Sequence, residues 1–244
     1  MLGPVDVVGA AQPFRRAWTL DLVVYLSLHR RGVLNEVWAT ALWPDRLMAA
    51  PTLHSTVSAA RRALGRTPDG RDPLPRRGGV LSLSPAALTD WEAFGDLADS
   101  PDPATWRRAL SLVRGRPFEG LRSLDWTVLE GVGPALEEQI VRLAGTLAEH
   151  ELSAGRSRSA VDAVRRGLLA SPFDERLYRL LLRAADLEGN PAGVEAAMAD
   201  LVRLVGGAGA DAPDPACLHP DTLALYRSLT RRRGPGTGVA FARL

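Results

Sequence analysis

Residues 51–65 of this 244-residue chain have the sequence PTLHSTVSAARRALG, which carries both ends of a predicted helix. Proline is favoured in the first turn of a helix and glycine just past its end, so Pro51 and Gly65 bracket the helix. At about 100° per residue, its apolar side chains fall on one stripe, which we expect to be buried. That stripe consists of Leu53, Val57, Ala60 and Leu64.

The opposite side of this predicted helix is polar and basic, with small hydroxyl side chains between its arginines. Small side chains allow a close approach to a duplex and arginines reach phosphates or guanine edges, so the surface suits the major groove of DNA. An ordinary amphipathic helix with a solvated polar side has the same pattern, and this alternative stays open. The candidate DNA-binding residues are Thr52, His54, Ser55, Ser58, Arg61, Arg62 and Arg66, with Thr56 on the same flank as Thr52.

A β-hairpin is predicted after this helix. Residues 72–85, DPLPRRGGVLSLSP, indicate two short strands around the Arg-Arg-Gly-Gly sequence at positions 76–79. We expect Arg76 and Arg77 to lie at the hairpin tip, which makes them two further candidate DNA-binding residues.

Two helices and a strand are predicted before the helix at residues 51–65. The apolar spacing in RAWTLDLVVYLSLHRRG, residues 16–32, indicates a helix with an apolar face that ends at a glycine. The sequence NEVWATALWP, residues 35–44, indicates a second helix with Asn35 as its N-cap and Pro44 as its stop. The alternation in LGPVDVVG, residues 2–9, predicts one strand of a small hairpin. Hairpin, three helices and hairpin is the order of a winged helix-turn-helix.

Charge is distributed unevenly, although the formal net charge of the whole chain is only +2. Residues 1–92 carry 11 arginines and 8 acidic residues, a net charge of +3. Residues 93–211 carry 14 arginines and 18 acidic residues, a net charge of −4, and residues 212–244 carry 5 arginines and 2 acidic residues, a net charge of +3. Between residues 52 and 79 there are six arginines and two aspartates. A basic cluster before an acidic helical region suggests a nucleic-acid footprint on one domain, although a solvated charged face has the same composition.

From Trp91 onward the apolar periodicity is helical almost throughout, which predicts a mainly α fold. Gly155 and Gly189 lie 34 residues apart, the period of tetratricopeptide repeats. The same shift aligns four pairs of apolar residues, as expected if two antiparallel helix hairpins stack side by side. The predicted helices span 104–115, 126–153, 157–170, 174–188 and 191–205, and the aligned pairs are Leu147/Leu181, Ala148/Leu182, Val164/Met198 and Leu168/Val202.

Residue combinations that support catalysis or metal binding are missing from the sequence. The 30 basic residues other than histidine are all arginines, which excludes lysine chemistry and phosphate loops that end in Gly-Lys-Ser/Thr. The single cysteine, Cys217, cannot form an intramolecular disulfide or a thiolate cage, and the four histidines lack ligand spacing. We therefore expect no enzyme activity, no cofactor and no metal. Since no apolar run reaches the roughly 18 residues that span a bilayer and no signal peptide is recognisable, we expect a cytoplasmic protein without membrane contact.

Several of these stretches together resemble the bacterial transcriptional activator domain family, in which a response-regulator-type winged helix precedes a tetratricopeptide-like helical domain. The family includes the antibiotic-pathway activators of actinobacteria. The matching stretches are LGPVDVVG, VVYLSLHRRGVLNEVWATALWPD, TLHSTVSAARRALG, RRGGVLSLSP, TDWEAFGDL and LHPDTLALYRSL. The resemblance implies a winged helix-turn-helix domain with small β-hairpins at residues 1–92, a tetratricopeptide-like helical domain at 93–230 and a basic, disordered tail at 231–244.

The function that this resemblance implies is that of a DNA-binding transcriptional regulator. The third helix would enter the major groove of double-stranded promoter DNA, and the hairpin wing would contact the minor groove or the backbone. The helical domain would bind RNA polymerase subunits, a regulatory protein or a second copy of the chain in a homodimer. Ala59 stands where related promoter-binding proteins carry an arginine. A second interpretation therefore stays open: a protein-interaction or signalling module of a larger multidomain actinobacterial protein, with a winged helix that no longer binds DNA specifically.

Overall fold

The computed structural model describes residues 1–206 and 217–232 of the chain. These residues are mainly helical, as predicted, and contain one two-stranded antiparallel sheet. The tail expected at residues 231–244 lies, from residue 233 onward, outside the described residues, as do residues 207–216.

The described elements follow the predicted order of three helices, a hairpin and a run of further helices. The first elements are α1 (Ala17–Leu28), α2 (Asn35–Leu42), α3 (Ala50–Leu64), β1 (Arg76–Arg77), β2 (Val80–Leu81) and α4 (Asp90–Ala98). The later ones are α5 (Pro103–Ser111), α6 (Asp125–Leu129), α7 (Val132–Ser153), α8 (Ser157–Ala170), α9 (Glu175–Leu187), α10 (Pro191–Gly206) and α11 (Pro220–Arg231).

Contacts between residues divide the chain into two compact units. The N-terminal unit contains Met1–Gly95 and Gly115–Leu136, and the C-terminal unit contains Asp96–Arg114 and the chain from Glu137 onward. Residues 115–136 therefore pack with the N-terminal unit, although they lie beyond the domain boundary expected at residue 92.

Helix α1 lies at the centre of the N-terminal unit. Its side chains from residue 21 to residue 27 are buried on all sides, rather than on the one face that the spacing predicted. Asp21 is only 1% exposed, and its carboxylate accepts hydrogen bonds from the backbone N–H groups of Arg122 (3.1 Å) and Ser123 (3.0 Å). Burial raises the pKa of Asp21, and these backbone hydrogen bonds oppose the rise. The carboxylate thus fixes the segment that contains Arg122 against α1.

The strand predicted at residues 2–9 does not form. Instead, the Val5 N–H donates a single hydrogen bond to the Glu119 carbonyl at 2.9 Å. Gly3 has a positive φ of 142°, and Pro4 has no N–H to donate, so the segment cannot continue a strand ladder. The alternation of apolar residues was correct as a sign of burial at Leu2, but not as a sign of a strand.

Two helix boundaries also differ from the predictions. Asn35 is the first residue of α2, and the N-cap position belongs to Leu34. The Asn35 side-chain oxygen instead accepts a hydrogen bond from the indole N–H of Trp38 at 3.3 Å. The single helix predicted over residues 126–153 is divided into α6 and α7 at Gly131, whose φ of +72° is the left-handed conformation that breaks a helix.

The helix hairpins of the C-terminal unit follow the 34-residue repeat. Helix α9 packs against both α8 and α10, and Gly155 and Gly189 turn the chain with φ values of +72° and +65°. In the aligned pairs Ala148/Leu182 and Val164/Met198, both residues are buried. In the pairs Leu147/Leu181 and Leu168/Val202, Leu147 and Val202 are buried and their partners are partly buried. The repeat is therefore correct in register, and on α9 Leu182 is fully buried whereas Leu181 is only partly buried.

Candidate nucleic-acid interface

Helix α3 begins and ends where its sequence predicts. Pro51 lies in its first turn, and Gly65 ends it with a φ of +79°. A Cβ atom on Gly65 would lie 2.7 Å from the Cβ of Ala11. Glycine is therefore required there because it has no side chain as well as because it adopts a positive φ. Thr56 was expected on the outer flank but is buried, and its hydroxyl donates to the Thr52 carbonyl at 2.9 Å. The buried residues of α3, which packs on α1, are Leu53, Thr56, Val57, Ala60 and Ala63.

The outer side of α3 is polar and largely exposed. The exposed candidates on α3 are His54, Ser55, Ser58 and Arg62, and Thr52 is half-buried. Arg66 was expected on the same side but lies beyond the helix, which Gly65 ends, and is exposed there. The only hydrogen bond of the Arg62 guanidinium is a long one of 3.5 Å to the Ser58 carbonyl, and that of Arg66 is an equally long one to the Gly70 carbonyl. Within the described part of the chain neither arginine forms an ion pair, so both guanidinium groups can extend toward a ligand.

Arg61 differs from the other candidates because its guanidinium is already bound within the unit. Its Nε lies 3.1 Å from Oδ1 and 3.0 Å from Oδ2 of Asp72, and its Nη2 donates to the Leu74 carbonyl at 2.6 Å. Leu74 itself is fully buried. These contacts tie the last turn of α3 to the loop that leads into the hairpin, which gives Arg61 a structural role.

The hairpin is formed by the residues predicted, but its tip lies one residue after Arg77 and two after Arg76, which were expected there. Arg76 pairs with Leu81 and Arg77 with Val80, and the two-residue turn consists of Gly78 and Gly79 with φ values of +55° and +83°. Positive φ at both positions is the signature of the tight turns that match strand twist. Arg76 and Arg77 therefore lie in β1 and the glycines form the tip.

The base of the hairpin is anchored on the start of α2. Leu81 is fully buried, and its N–H and carbonyl exchange two 2.8 Å hydrogen bonds with Val33. The Arg76 Nη2 atom donates to the Asn35 side chain at 2.9 Å. Arg77 is exposed and points to the opposite side of the strand, because side chains alternate along a strand. Arg77 is thus the hairpin arginine with the freer guanidinium.

A basic groove beside the first two turns of α3 was missed by the sequence analysis. Arg15, Arg16, Arg46 and Arg122 line it together with Thr52 and Ser55 of α3. These arginines come from three separate stretches, so no local spacing signals that they meet.

The side chains of this surface donate and accept hydrogen bonds. Guanidinium groups donate in fixed directions, and hydroxyls donate and accept over short distances. The described residues contain no group of three or more His, Cys, Asp or Glu side chains that could hold a metal ion. Within the same residues, no helix has the length and apolar composition needed to cross a membrane.

The fold and part of the sequence are similar to those of known proteins. Residues 95–205 match the model of the bacterial transcriptional activator domain. The chain also has the fold of EmbR from Mycobacterium tuberculosis, whose structure was solved in complex with a low-affinity phosphopeptide: the TM-score is 0.60 and the sequences are 22% identical over 97% of this chain and 65% of that one. No curated protein matches the chain significantly. Residues 95–205 are therefore similar to the bacterial transcriptional activator domain.

Proposed function

We propose that the chain is a DNA-binding transcriptional regulator whose N-terminal unit places α3 in the major groove of duplex DNA. The observation that carries this proposal is the outer side of α3, where Arg62 is exposed among small polar side chains, with Arg66 exposed just past the helix end. From residue 50 to residue 66 the chain contains no acidic residue that would repel phosphates. The major groove is about 12 Å wide and admits one helix, and arginine pairs with guanine edges there.

The hairpin gives this unit a second place to contact the duplex. Arg77 is exposed on β1, and the Gly78-Gly79 tip has no side chains that would prevent a close approach to the sugar–phosphate backbone. Contacts to the backbone set the orientation of a protein on DNA, whereas base contacts give sequence specificity. We assign specificity to Arg62 and orientation to Arg77.

The transcriptional part of the proposal rests on the helical region. Its match to the model of the bacterial transcriptional activator domain supports a role in regulating transcription. Residues 93–211 carry 18 acidic residues against 14 arginines, so this region does not share the basic character of residues 52–79. We assign it to protein partners, namely RNA polymerase subunits, a regulatory protein or a second copy of the chain.

The test compares DNA binding by single-arginine variants in fluorescence-anisotropy titrations at several salt concentrations. A preferred duplex is first selected from a random library with the wild-type protein. Arg62→Ala should cost about 1–3 kcal/mol on that duplex and less on random DNA, as expected for a base contact. Arg77→Ala should weaken binding equally on both and lower the slope of log K against log salt by about one, as expected for a phosphate contact.

The matched control is Arg165→Ala, which removes an exposed arginine from α8 and changes the net charge by the same amount. It should leave both titrations unchanged. Identical curves for wild type and all three variants would contradict the assignment of α3 and the hairpin to DNA.

A second candidate function is supported by the limited number of available guanidinium groups on α3. Arg61 forms an ion pair with Asp72, and the side chain of Ala59 is uncharged. A unit with such a helix could instead act as a protein-interaction module. Absence of any binding to duplex DNA at about 50 mM salt would favour this alternative, because phosphate contacts are strongest there.

A further inference from the structure

The groove beside α3 has a volume of about 410 Å³ and belongs entirely to the N-terminal unit. The start of α1, the loop between α2 and α3, and the segment after residue 115 form its walls. Two tryptophans, Trp18 and Trp43, provide an apolar wall, with ring centroids 5.0 Å apart. The polar lining includes Arg15, Arg16, Arg46, Arg122, Thr52 and Ser55.

The charge of the groove has one sign. All four arginines are exposed, and no acidic side chain lines the groove. Among the residues that the structure describes, none of the four forms an ion pair. Arginines gathered in a concave surface that no acidic side chain lines create a positive potential that attracts anions. The groove is therefore suited to a negatively charged ligand.

Arg122 is held in place before any ligand arrives. Its guanidinium carbon lies 6.0 Å from the centre of the Trp18 ring, a cation–π distance. Its backbone N–H donates to the buried carboxylate of Asp21, which fixes the local chain. Because both the backbone and the guanidinium of Arg122 are held, little conformational entropy is lost when this side chain binds an anion.

Two helices also begin at the groove. Arg16 is the N-cap of α1, and Thr52 lies in the first turns of α3. Neither helix has an acidic residue in its first turn or a side-chain hydrogen bond at its N-cap. The first-turn N–H groups of a helix have no intrahelical partner and carry partial positive charge, which favours a bound anion. Both helix starts therefore add to the positive potential of the four arginines.

We propose that this groove binds the phosphodiester backbone of the DNA strand that flanks α3, and this inference rests on the proposed function. Thr52 and Ser55 belong both to the groove lining and to the outer side of α3, so a duplex seated on α3 passes the groove. The arginines at the end of α3 and on the hairpin contact the duplex at the opposite end of the helix. The groove supplies the phosphate contacts at the beginning of α3, where that helix has no arginine of its own.

The test uses the full chain and measures the salt dependence of binding to the selected duplex and to random duplex DNA. The groove variants are the double variant Arg16→Ala/Arg46→Ala and the single variant Arg122→Ala. Their control is Arg158→Ala/Arg165→Ala, which removes two exposed arginines from α8. Circular dichroism and thermal unfolding verify that each variant is folded.

We expect the groove variants to weaken binding equally on the two duplexes. Each lost phosphate contact releases about 0.9 fewer counterions, which corresponds to about an eightfold loss of affinity at 0.1 M salt. The double groove variant should therefore lower the salt slope by about two and the single variant by about one, while the control keeps the wild-type slope. Wild-type slopes for both groove variants would overturn the groove assignment and leave the proposed function intact. A wild-type chain that binds no duplex at all would overturn the proposed function and this inference together.

Discussion

Arg61 and Arg62 follow each other on α3, where a rotation of about 100° separates their side chains. Arg61 lies against Asp72 and the Leu74 carbonyl, and Arg62 extends outward with a single long contact to its own helix. Helical periodicity predicts Arg61 on a flank of α3 and Arg62 opposite the buried stripe. In the structure Arg61 is half-buried and Arg62 is exposed, as expected for these positions. Periodicity could not predict the ion pair between Arg61 and Asp72, because Asp72 lies in a loop outside the helix. Leu74 of that loop is buried, which holds the loop close to Arg61.

Replacement of Arg61 by alanine should destabilise the N-terminal unit by about 1 kcal/mol. The ion pair is partly exposed and contributes little, whereas the hydrogen bond to a buried backbone carbonyl is lost outright. Arg62→Ala should change the free energy of unfolding by less than about 0.5 kcal/mol. Urea unfolding followed by tryptophan fluorescence measures both, since five of the six tryptophans lie in this unit. Equal effects of the two substitutions would mean that Arg61 has no structural role.

Glu151 is a fully buried charged residue of the C-terminal unit. Its carboxylate accepts a hydrogen bond from the Arg156 Nε at 2.5 Å and a second one from the guanidinium of Arg107. The hydrogen bond from Arg156 holds the pKa of Glu151 below its ordinary value of 4.5, and the charge of Arg107 acts in the same direction against the effect of burial. The carboxylate is thus stabilised in its ionised form.

Replacement of Glu151 by glutamine should lower the free energy of unfolding by about 1–3 kcal/mol at pH 7, because a charged hydrogen-bond acceptor is lost from a buried position. A carboxylate with a lowered pKa stabilises the fold above its unfolded pKa of about 4.5, and this contribution disappears as the pH falls through the folded pKa. The difference between variant and wild type should therefore shrink below pH 4.5. Urea unfolding monitored by circular dichroism at several pH values measures this difference.

The control for this prediction is Glu149→Gln, whose carboxylate is exposed and lies 3.9 Å from Arg183. Its effect should stay within about 0.5 kcal/mol at every pH, as for most surface ion pairs. A destabilisation by Glu151→Gln that is the same at pH 7 and pH 3 would argue that ionisation of Glu151 does not matter.

At the scale of elements, the packing of α7, α8 and α9 depends on one glycine. A Cβ atom on Gly167 of α8 would lie 2.8 Å from the Ala144 Cβ and 2.7 Å from Leu177 Cδ1. The helices approach one another closely there because Gly167 has no side chain. Gly145 of α7 lies in the same unit, but the nearest atom to its added Cβ would be Leu180 Cδ1 at 3.9 Å, an ordinary contact distance.

The same glycine-to-alanine change should therefore have opposite effects at these two positions. Gly167→Ala should destabilise the C-terminal unit by about 1–3 kcal/mol, because the added methyl group overpacks the helix interface. Gly145→Ala should stabilise it by up to about 1 kcal/mol, because alanine has the higher helix propensity. Chemical unfolding followed by circular dichroism at 222 nm distinguishes the two. Stabilisation by both substitutions would show that the close approach at Gly167 is not required.

The predictability of the elements from sequence followed the strength of their boundary signals. α3 was placed correctly because Pro51 and Gly65 mark its two ends. The strand expected at residues 2–9 did not form, since Gly3 and Pro4 interrupt strand pairing and most of the segment after them is exposed. The break at Gly131 was missed because the apolar periodicity continues across it, although a glycine with positive φ ends α6 there.

At the scale of the whole molecule, the sequence predicted the basic character of the N-terminal part but not the groove. Charge counts along the chain showed an excess of arginine between residues 52 and 79. Arg15, Arg46 and Arg122 are dispersed over more than a hundred residues and meet only through tertiary folding. Arg122 in particular lies in the segment 115–136, which packs with the N-terminal unit despite its position in the chain.

The central claim is that the N-terminal unit binds duplex DNA through the outer side of α3, and NMR mapping of the backbone amides tests it most directly. A selected duplex is titrated into the isotope-labelled chain at low salt. The amide signals of Ser55, Ser58, Arg62 and Arg77 should shift with the added DNA, together with the indole signal of Trp18 in the groove, and the signals of α8, α9 and α10 should not. Shifts confined to the helices of the C-terminal unit, or none at all, would contradict the claim.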